Sequence, residues 1–230
     1  MICAKYKFAD ISVEINSLHA FVHDMCRAYK TEDEAEFSIN VTKQMIDNER
    51  GDSTFDDAYL ETLAVYRAFC DFAIDKNVFL FHGSSIAVNG EAFIFAAKSG
   101  TGKSTHARLW KDYLGDKAVM INDDKPLIKV SDDEVIVYGS PWQGKHDIGN
   151  NVSFPLKAVC FLKRGENAIS PVPFSKAYMK LCKHVYYKND EAYLLTLFSL
   201  FDKMKKVSFY EMSCRPDIDA AMMAFEKMKG

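Results

Sequence analysis

Apolar and polar residues alternate through Tyr6-Lys7-Phe8-Ala9-Asp10-Ile11-Ser12-Val13-Glu14-Ile15, and this period of two predicts a strand or hairpin at an edge within residues 1–16. Over 17–30 the period lengthens, and Leu18, Phe21, Val22, Met25 and Tyr29 fall on one face of a helix. The acidic stretch Thr31–Glu36 and the polar stretch Asp47–Asp57 read as surface connections. From Phe55 to Phe72, Tyr59, Leu60, Leu63, Val65, Tyr66, Phe69 and Phe72 recur at helical spacing, with Glu61 and Arg67 off the apolar face. The expectation is a packed helix that covers one side of the domain that follows.

Ser84–Val88 and Ala92–Ala96 are strand-like runs joined through Asn89-Gly90. Asn-Gly tolerates the two positive φ angles of a type I′ turn, so the pair predicts an antiparallel hairpin. Ala118–Ile121 is a short buried strand, Pro126–Val130 and Glu134–Tyr138 pair around Ser131-Asp132-Asp133, and Leu156–Lys163 is a core strand. Helices are expected over Ser175–His184 and Glu191–Met204, then a strand over Val207–Met212 and a last helix from Pro216. In that last helix Ile218, Met222, Phe225 and Met228 read as core contacts. The chain is therefore expected to be α/β with a mixed sheet, and no repeat, low-complexity tract or linker divides it cleanly.

A length of 230 residues, 48% hydrophobic and 27% charged, is ordinary for a globular chain with a substantial core. A net charge of −3 gives no general reason to expect nucleic acid as a partner. No apolar run approaches the roughly 20 residues of a membrane span, and the N-terminus lacks a signal-peptide pattern. The six cysteines stand singly with no C-x-x-C pair, which implies reduced thiols and a cytoplasmic setting. His19 and His23 have helical i, i+4 spacing, but no glutamate follows His19 as a metalloprotease motif requires.

The densest chemistry lies at Ala97-Lys98-Ser99-Gly100-Thr101-Gly102-Lys103-Ser104-Thr105, between the apolar run Phe93–Ala96 and the helix-like His106–Trp110. Strand, glycine-rich turn and helix are the context of a Walker A P-loop, whose backbone N–H groups form a nest for phosphate oxygens. Ser99, Gly100, Thr101, Gly102, Lys103, Ser104 and Thr105 are the candidate nucleotide-binding residues. Lys103 is placed to reach β- and γ-phosphates and the Ser104 hydroxyl to ligate Mg²⁺. Ala97 stands where the motif has its first glycine. The carboxylates of Asp123 and Asp124 directly follow the strand Ala118–Ile121, a Walker B position. One can hold Mg²⁺ and the other can take the proton of an attacking hydroxyl. The loop Tyr138–Asn150 is punctuated by glycines, and its Trp142, Lys145 and Asn150 are candidates for gripping phosphate or acceptor.

His82-Gly83, the Asn89-Gly90 hairpin, Ser99–Ser104 and Asp123-Asp124-Lys125 together resemble the HPr kinase/phosphorylase group. The Ser-Gly-Thr-Gly-Lys core is also similar to the kinase loop of ATP-dependent phosphoenolpyruvate carboxykinase, whose nucleotide fold is related. Lys98–Trp110, Asn122–Pro126 and Tyr138–Asn150 look most like small HPr-kinase-like proteins, some of which phosphorylate a peptide serine. The resemblance is specific over about 79–150 and only general elsewhere. It implies a mixed-sheet P-loop core of the HPr kinase/phosphoenolpyruvate carboxykinase type over 79–230, with an N-terminal α+β elaboration over 1–78 packed on it. It assigns Lys103 to the transferring phosphoryl group, and Ser104, Asp123 and Asp124 to the metal. Asp123 and Asp124 also share general-base work, and His82 sits beside them to tune the base or stabilise charge.

The expected activity is transfer of the ATP γ-phosphoryl group to a hydroxyl, with serine of a peptide, a protein or a small molecule as acceptor. ATP and Mg²⁺ are the implied cofactors, and neither nucleic acid nor membrane is an expected partner. HPr kinases are hexamers, but no stretch here identifies an assembly surface, and a homo-oligomer is left open. The rivals are a nucleotide-binding sensor or peptide-binding module without turnover, and a switch-type NTPase. The Asn89-Gly90 hairpin argues against the switch, and the absence of an Asn-Lys-x-Asp run favours ATP over GTP.

Overall fold

In the computed structural model, which describes residues 1–144 and 147–230, the chain is a mixed α/β protein of two compact units, Met1–Val78 and Phe79–Gly230. Strand β1 (Ile2–Phe8) turns back onto antiparallel β2 (Ile11–Ser17) through Ala9 and Asp10, with φ of 48° and 66°. After α1 (Phe21–Met25), strand β3 (Phe37–Asn40) adds parallel to β2, then α2 (Lys43–Arg50) and α3 (Asp57–Ala73) follow. Tyr6, Phe8, Val13, Ile15, Ile46, Leu60, Val65 and Phe69 are the buried centre of this unit.

Two expectations for this unit need correction. The helix predicted over 17–30 shrinks to α1 and a 3₁₀ turn at Arg27–Tyr29. The preceding backbone is captured instead: the N–H groups of Leu18 and His19 donate to the Glu61 carboxylate at 2.6 and 2.9 Å. Glu61 is consequently wholly buried in α3 rather than off its packed face, while Leu18 and Phe21 are exposed. The polar stretch after Asp47 is not all connection either, since α2 runs to Arg50 from an N-cap at Thr42, whose hydroxyl accepts from the Met45 N–H. His23 spends both ring nitrogens internally, on the Tyr6 hydroxyl at 2.7 Å and the Ser17 hydroxyl at 2.8 Å.

The larger sheet begins with β4 (Val78–Leu80) and the hairpin β5 (Ser84–Val88) and β6 (Glu91–Ala96). Asn89 and Gly90 take positive φ of 52° and 83°, as the Asn-Gly pair requires. Next come α4 (Lys103–Leu114), β7 (Ala118–Asn122), β8 (Leu127–Val130), β9 (Val135–Tyr138) and β10 (Ser153–Arg164). The chain closes with β11 (Ala168–Pro171), α5 (Phe174–Leu181), α6 (Glu191–Lys203), β12 (Ser208–Cys214) and α7 (Ile218–Met228). The strand order is β4-β8-β9-β10-β6-β5-β7, with β12 also paired to β10 and β11 to β12. Strand β10 joins the two sheet regions, because its first residues run antiparallel to β9 and its later ones parallel to β6 and β12.

The core beneath α4 and α7 holds Phe93, Phe95 and Trp110, whose rings meet at 5.0–5.1 Å. The face of α7 agrees with the pattern reading at Phe225 and Met228 and differs from it at Ile218 and Met222. Ala220, Ala221, Ala224 and Met228 are buried, while Ile218 and Met222 are each 40% exposed. Small alanines let α7 sit close to its neighbours, with Phe225 edge-on to Trp110 at 5.4 Å.

The pairing directions decide where the chemistry falls. β5 is antiparallel to both β6 and β7, so β6 and β7 end at the edge where β5 begins. The parallel strands β10 and β12 end there too.

Candidate active site

At that edge β6 delivers the glycine-rich loop, β7 delivers Asn122-Asp123-Asp124, and β5 is entered through His82-Gly83. Gly100 and Gly102 adopt φ of 75° and 119°, a region that disfavours side chains, and Gly102 leads directly into α4. The loop is pinned by a Thr101 N–H bond to the Lys98 carbonyl (3.2 Å) and by Arg164 Nη2 on the Gly100 carbonyl (2.6 Å). Ala97, at the first-glycine position, is buried at the end of the strand.

Lys103 is 8% exposed and its Nζ donates to the Ala97 carbonyl at 3.3 Å. Burial holds its amine below the ordinary lysine range, and the nearby Lys125 charge acts in the same direction. The Asp124 and Asp123 carboxylates pull the other way, so one ammonium lies in the field of both.

Asn122 organises the turn that carries those carboxylates. Its Oδ1 accepts from the N–H groups of Asp124 (2.8 Å) and Lys125 (2.6 Å), while its Nδ2 donates to the Ser140 carbonyl at 3.0 Å. Asp123 is 2% exposed and accepts at Oδ1 from the Ser84 hydroxyl (3.1 Å). Its Oδ2 lies toward Gly144, where an added Cβ would come within 3.1 Å of that oxygen. Glycine at 144 therefore keeps the carboxylate clear.

Asp124 is held differently. His82 Nε2 lies 3.2 Å from its Oδ1, and Lys125 forms an ion pair with its Oδ2. Burial alone would raise this carboxyl, but the His82 hydrogen bond and the Lys125 charge overcome it and hold the group well below the usual range. The His184 carbonyl accepts from the His82 N–H at 2.5 Å. The His184 ring is pushed down to about 4 by burial, then by the charges of His82 and Lys103.

Lys103, Asp123, Asp124 and His82 thus share one edge with the loop Ser99–Thr105. Trp142 is buried at 4% exposure, and Asn150 spends its amide on the Met120 carbonyl at 2.8 Å, so both brace the loop that carries them. Lys145 lies outside the described residues. A motif reading does not single out Ser84, Asn122, Arg164 or His184. Asn122 adjoins the Asp-Asp pair and is visible in hindsight, whereas the other three arrive through strand pairing and a crossover.

The hard oxygen donors Ser104, Asp123 and Asp124 suit Mg²⁺, which commonly takes one or two carboxylates and completes its shell with phosphates and water. Among the described residues no group of three or more His, Cys, Asp or Glu forms a metal cage of its own.

No family model matches the chain, and no curated protein matches it. Among solved structures, the HPr(Ser) kinase/phosphatase of Coxiella burnetii is similar at 8% identity and a TM-score of 0.38, over 65% of this chain and 91% of that one. At that score the likeness decides neither fold family nor reaction. Among the described residues no helix is long and apolar enough to cross a membrane.

Proposed function

We propose that this chain is a P-loop phosphotransferase of the HPr-kinase-like type, which moves the γ-phosphoryl group of ATP to a hydroxyl, with serine as the preferred acceptor chemistry. The observation that carries this reading is the convergence of the glycine-rich loop, Asp123-Asp124 and His82 on one sheet edge, with Lys103 in the field of both carboxylates. The N–H groups of the loop and the start of α4 hold the phosphate tail, and Lys103 neutralises charge as it shifts to the leaving oxygen. Ser104, Asp123 and Asp124 would hold Mg²⁺, which when bound would supply neutralisation of phosphate charge.

Asp124 orients the acceptor hydroxyl and receives its proton, with His82 at 3.2 Å holding the carboxylate in place. A carboxylate this strongly stabilised is a weak base. That suits a loose transition state, in which the attacking hydroxyl keeps its proton until late. Positioning and electrostatics supply the acceleration.

The test is incubation with Mg²⁺-ATP and a panel of serine peptides and small alcohols, read by mass spectrometry for a phosphorylated product. Transfer that depends on Lys103 is the expected result. Tight binding of ATP and of a non-hydrolysable analogue, with no transfer to any acceptor, would favour a nucleotide sensor instead.

A further inference from the structure

The segment that follows α5 walls one side of the candidate site, and its charge has no part in the phosphate chemistry. Beyond α5 the chain runs antiparallel to the residues that lead into His82. The His82 N–H donates to the His184 carbonyl at 2.5 Å, Val185 bridges Phe81, and the Tyr186 N–H donates to the Leu80 carbonyl at 3.1 Å. This pairing fixes the end of α5 beside His82 and Asp124. The His184 ring lies against Phe81 and Phe161, with centroids 5.9 and 6.1 Å apart. Phe161 in turn pairs with Ala96, the last strand residue before the glycine-rich loop. His82, Lys103, Lys183 and Lys180 all act on the His184 ring, and all four are basic.

The carboxylates do not balance these cations. Glu211 is shared by two ammonium groups, those of Lys163 at 2.8 Å and Lys180 at 2.5 Å. Lys183 is exposed, and among the described residues its ammonium has no partner. Elsewhere near the edge the lysines are spent: Lys125 pairs with Asp124, and Lys111 gives its Nζ to the Gly115 and Ala118 carbonyls at 3.0 and 2.8 Å. The chain as a whole carries a net charge of −3, so the positive surface beside His184 is a local arrangement.

We infer that the acceptor is an acidic serine peptide, whose carboxylates flanking the serine seat on Lys180 and Lys183 while its hydroxyl meets Asp124. The inference rests on the phosphotransferase reading and adds to it the charge of the acceptor. Two cations one helical turn apart are separated by about 5 Å along the axis. That spacing is close to the roughly 7 Å between alternate side chains of an extended chain, so an extended peptide can meet both. The same cations offset the repulsion that an acidic acceptor meets beside a triphosphate.

The experiment compares a labelled peptide with aspartate on both sides of its serine against a twin with asparagine there, using the intact chain, Lys183→Glu and Lys180→Met. Binding is read by fluorescence anisotropy with Mg²⁺ and a non-hydrolysable ATP analogue, and turnover of the same peptides with Mg²⁺-ATP gives KM and kcat. The wild type is expected to bind the acidic peptide about tenfold tighter at low salt, and the preference to shrink to about twofold near 0.5 M salt. Lys183→Glu is expected to abolish the preference and Lys180→Met to reduce it by about threefold, with kcat on the asparagine peptide within about twofold of wild type. Equal affinity for the twins, with transfer to either, overturns the inference and leaves the phosphotransferase standing. Acidic preference without transfer to any peptide overturns the phosphotransferase, and with it the peptide's role as acceptor. An unchanged preference in Lys183→Glu overturns the inference, and Lys180→Met decides in the same way if that variant fails to fold. A single-stranded oligonucleotide that binds as tightly as the acidic peptide overturns the assignment to a peptide.

Discussion

Glu61 in the smaller unit and Asp123 in the larger are both buried carboxylates, but they are spent differently. Glu61 gives each oxygen to a backbone N–H, those of Leu18 and His19, and is wholly enclosed. Asp123 accepts one hydroxyl at Oδ1, points Oδ2 toward a glycine, and shares the field of Lys103 with Asp124. Burial of an acid is thus not by itself a functional sign. Glu61 closes a local accounting of backbone donors, and Asp123 stands at the sheet edge in the field of Lys103, where the proposed function uses it. His23 and His82 repeat the contrast, the first with both ring nitrogens on hydroxyls, the second beside an acid at the sheet edge.

The sharpest way to break that contrast is to remove charge at the edge. Lys103→Ala is expected to lower kcat/KM for phosphoryl transfer by about 10³-fold or more, and Asp123→Asn by about 10²–10⁴-fold. Circular dichroism and the thermal midpoint should stay near wild type in both, and wild-type turnover in either would remove the catalytic assignment. Glu61→Gln should do the reverse. It turns an amide N–H toward a backbone N–H and is expected to cost about 2 kcal/mol, read from the urea midpoint at unchanged m-value. Its kcat/KM should stay within about twofold, since the lost bonds are structural.

Ser84→Ala tests whether Asp123 depends on its supporting hydroxyl. A fall of about tenfold in kcat/KM is expected, with a stability loss of about 1 kcal/mol. A stability loss alone would make Ser84 structural, like the partners of Glu61. The smallest expected effect is a pH dependence. His184 titrates near 4 in the folded chain against an ordinary histidine value of 6.5. Between those values the unfolded chain binds the proton that the folded chain refuses, so this contribution is complete above pH 6.5 and is lost as pH falls toward 4. The urea midpoint should therefore drop from pH 7.5 to pH 5, and His184→Gln should lessen the slope, with the remainder carried by His106, which burial also holds down to about 4. An unchanged slope would show that His184 does not carry it.

Much of the edge chemistry is legible because it is contiguous. Asn89-Gly90, Ser99–Ser104 and Asp123-Asp124 are short stretches whose residue types dictate a turn, a loop or a strand end by local sterics and hydrogen bonding. The misread elements depend on distant partners. The predicted helix over 17–30 was curtailed where a glutamate more than forty residues later takes the N–H groups of its first turn. The buried side of α7 adds Ala220, Ala221 and Ala224 to Met228 and leaves Ile218 and Met222 exposed, because close helix packing favours small residues over hydrophobic ones that need more room.

The amino-acid sequence by itself determined the hairpin turn, the glycine loop with its lysine and serine, and the acidic turn after β7. Each is a property of a few neighbouring residues whose allowed φ, ψ and donor geometry are short-range. Only the tertiary structure decided that these stretches share an edge with His82, Arg164 and His184, and that the Glu61 carboxylate takes two backbone N–H groups while Asp123 lies at the sheet edge beside Lys103. Strand direction and register, which set those meetings, arise from pairing between segments far apart in the chain, where no local preference reaches.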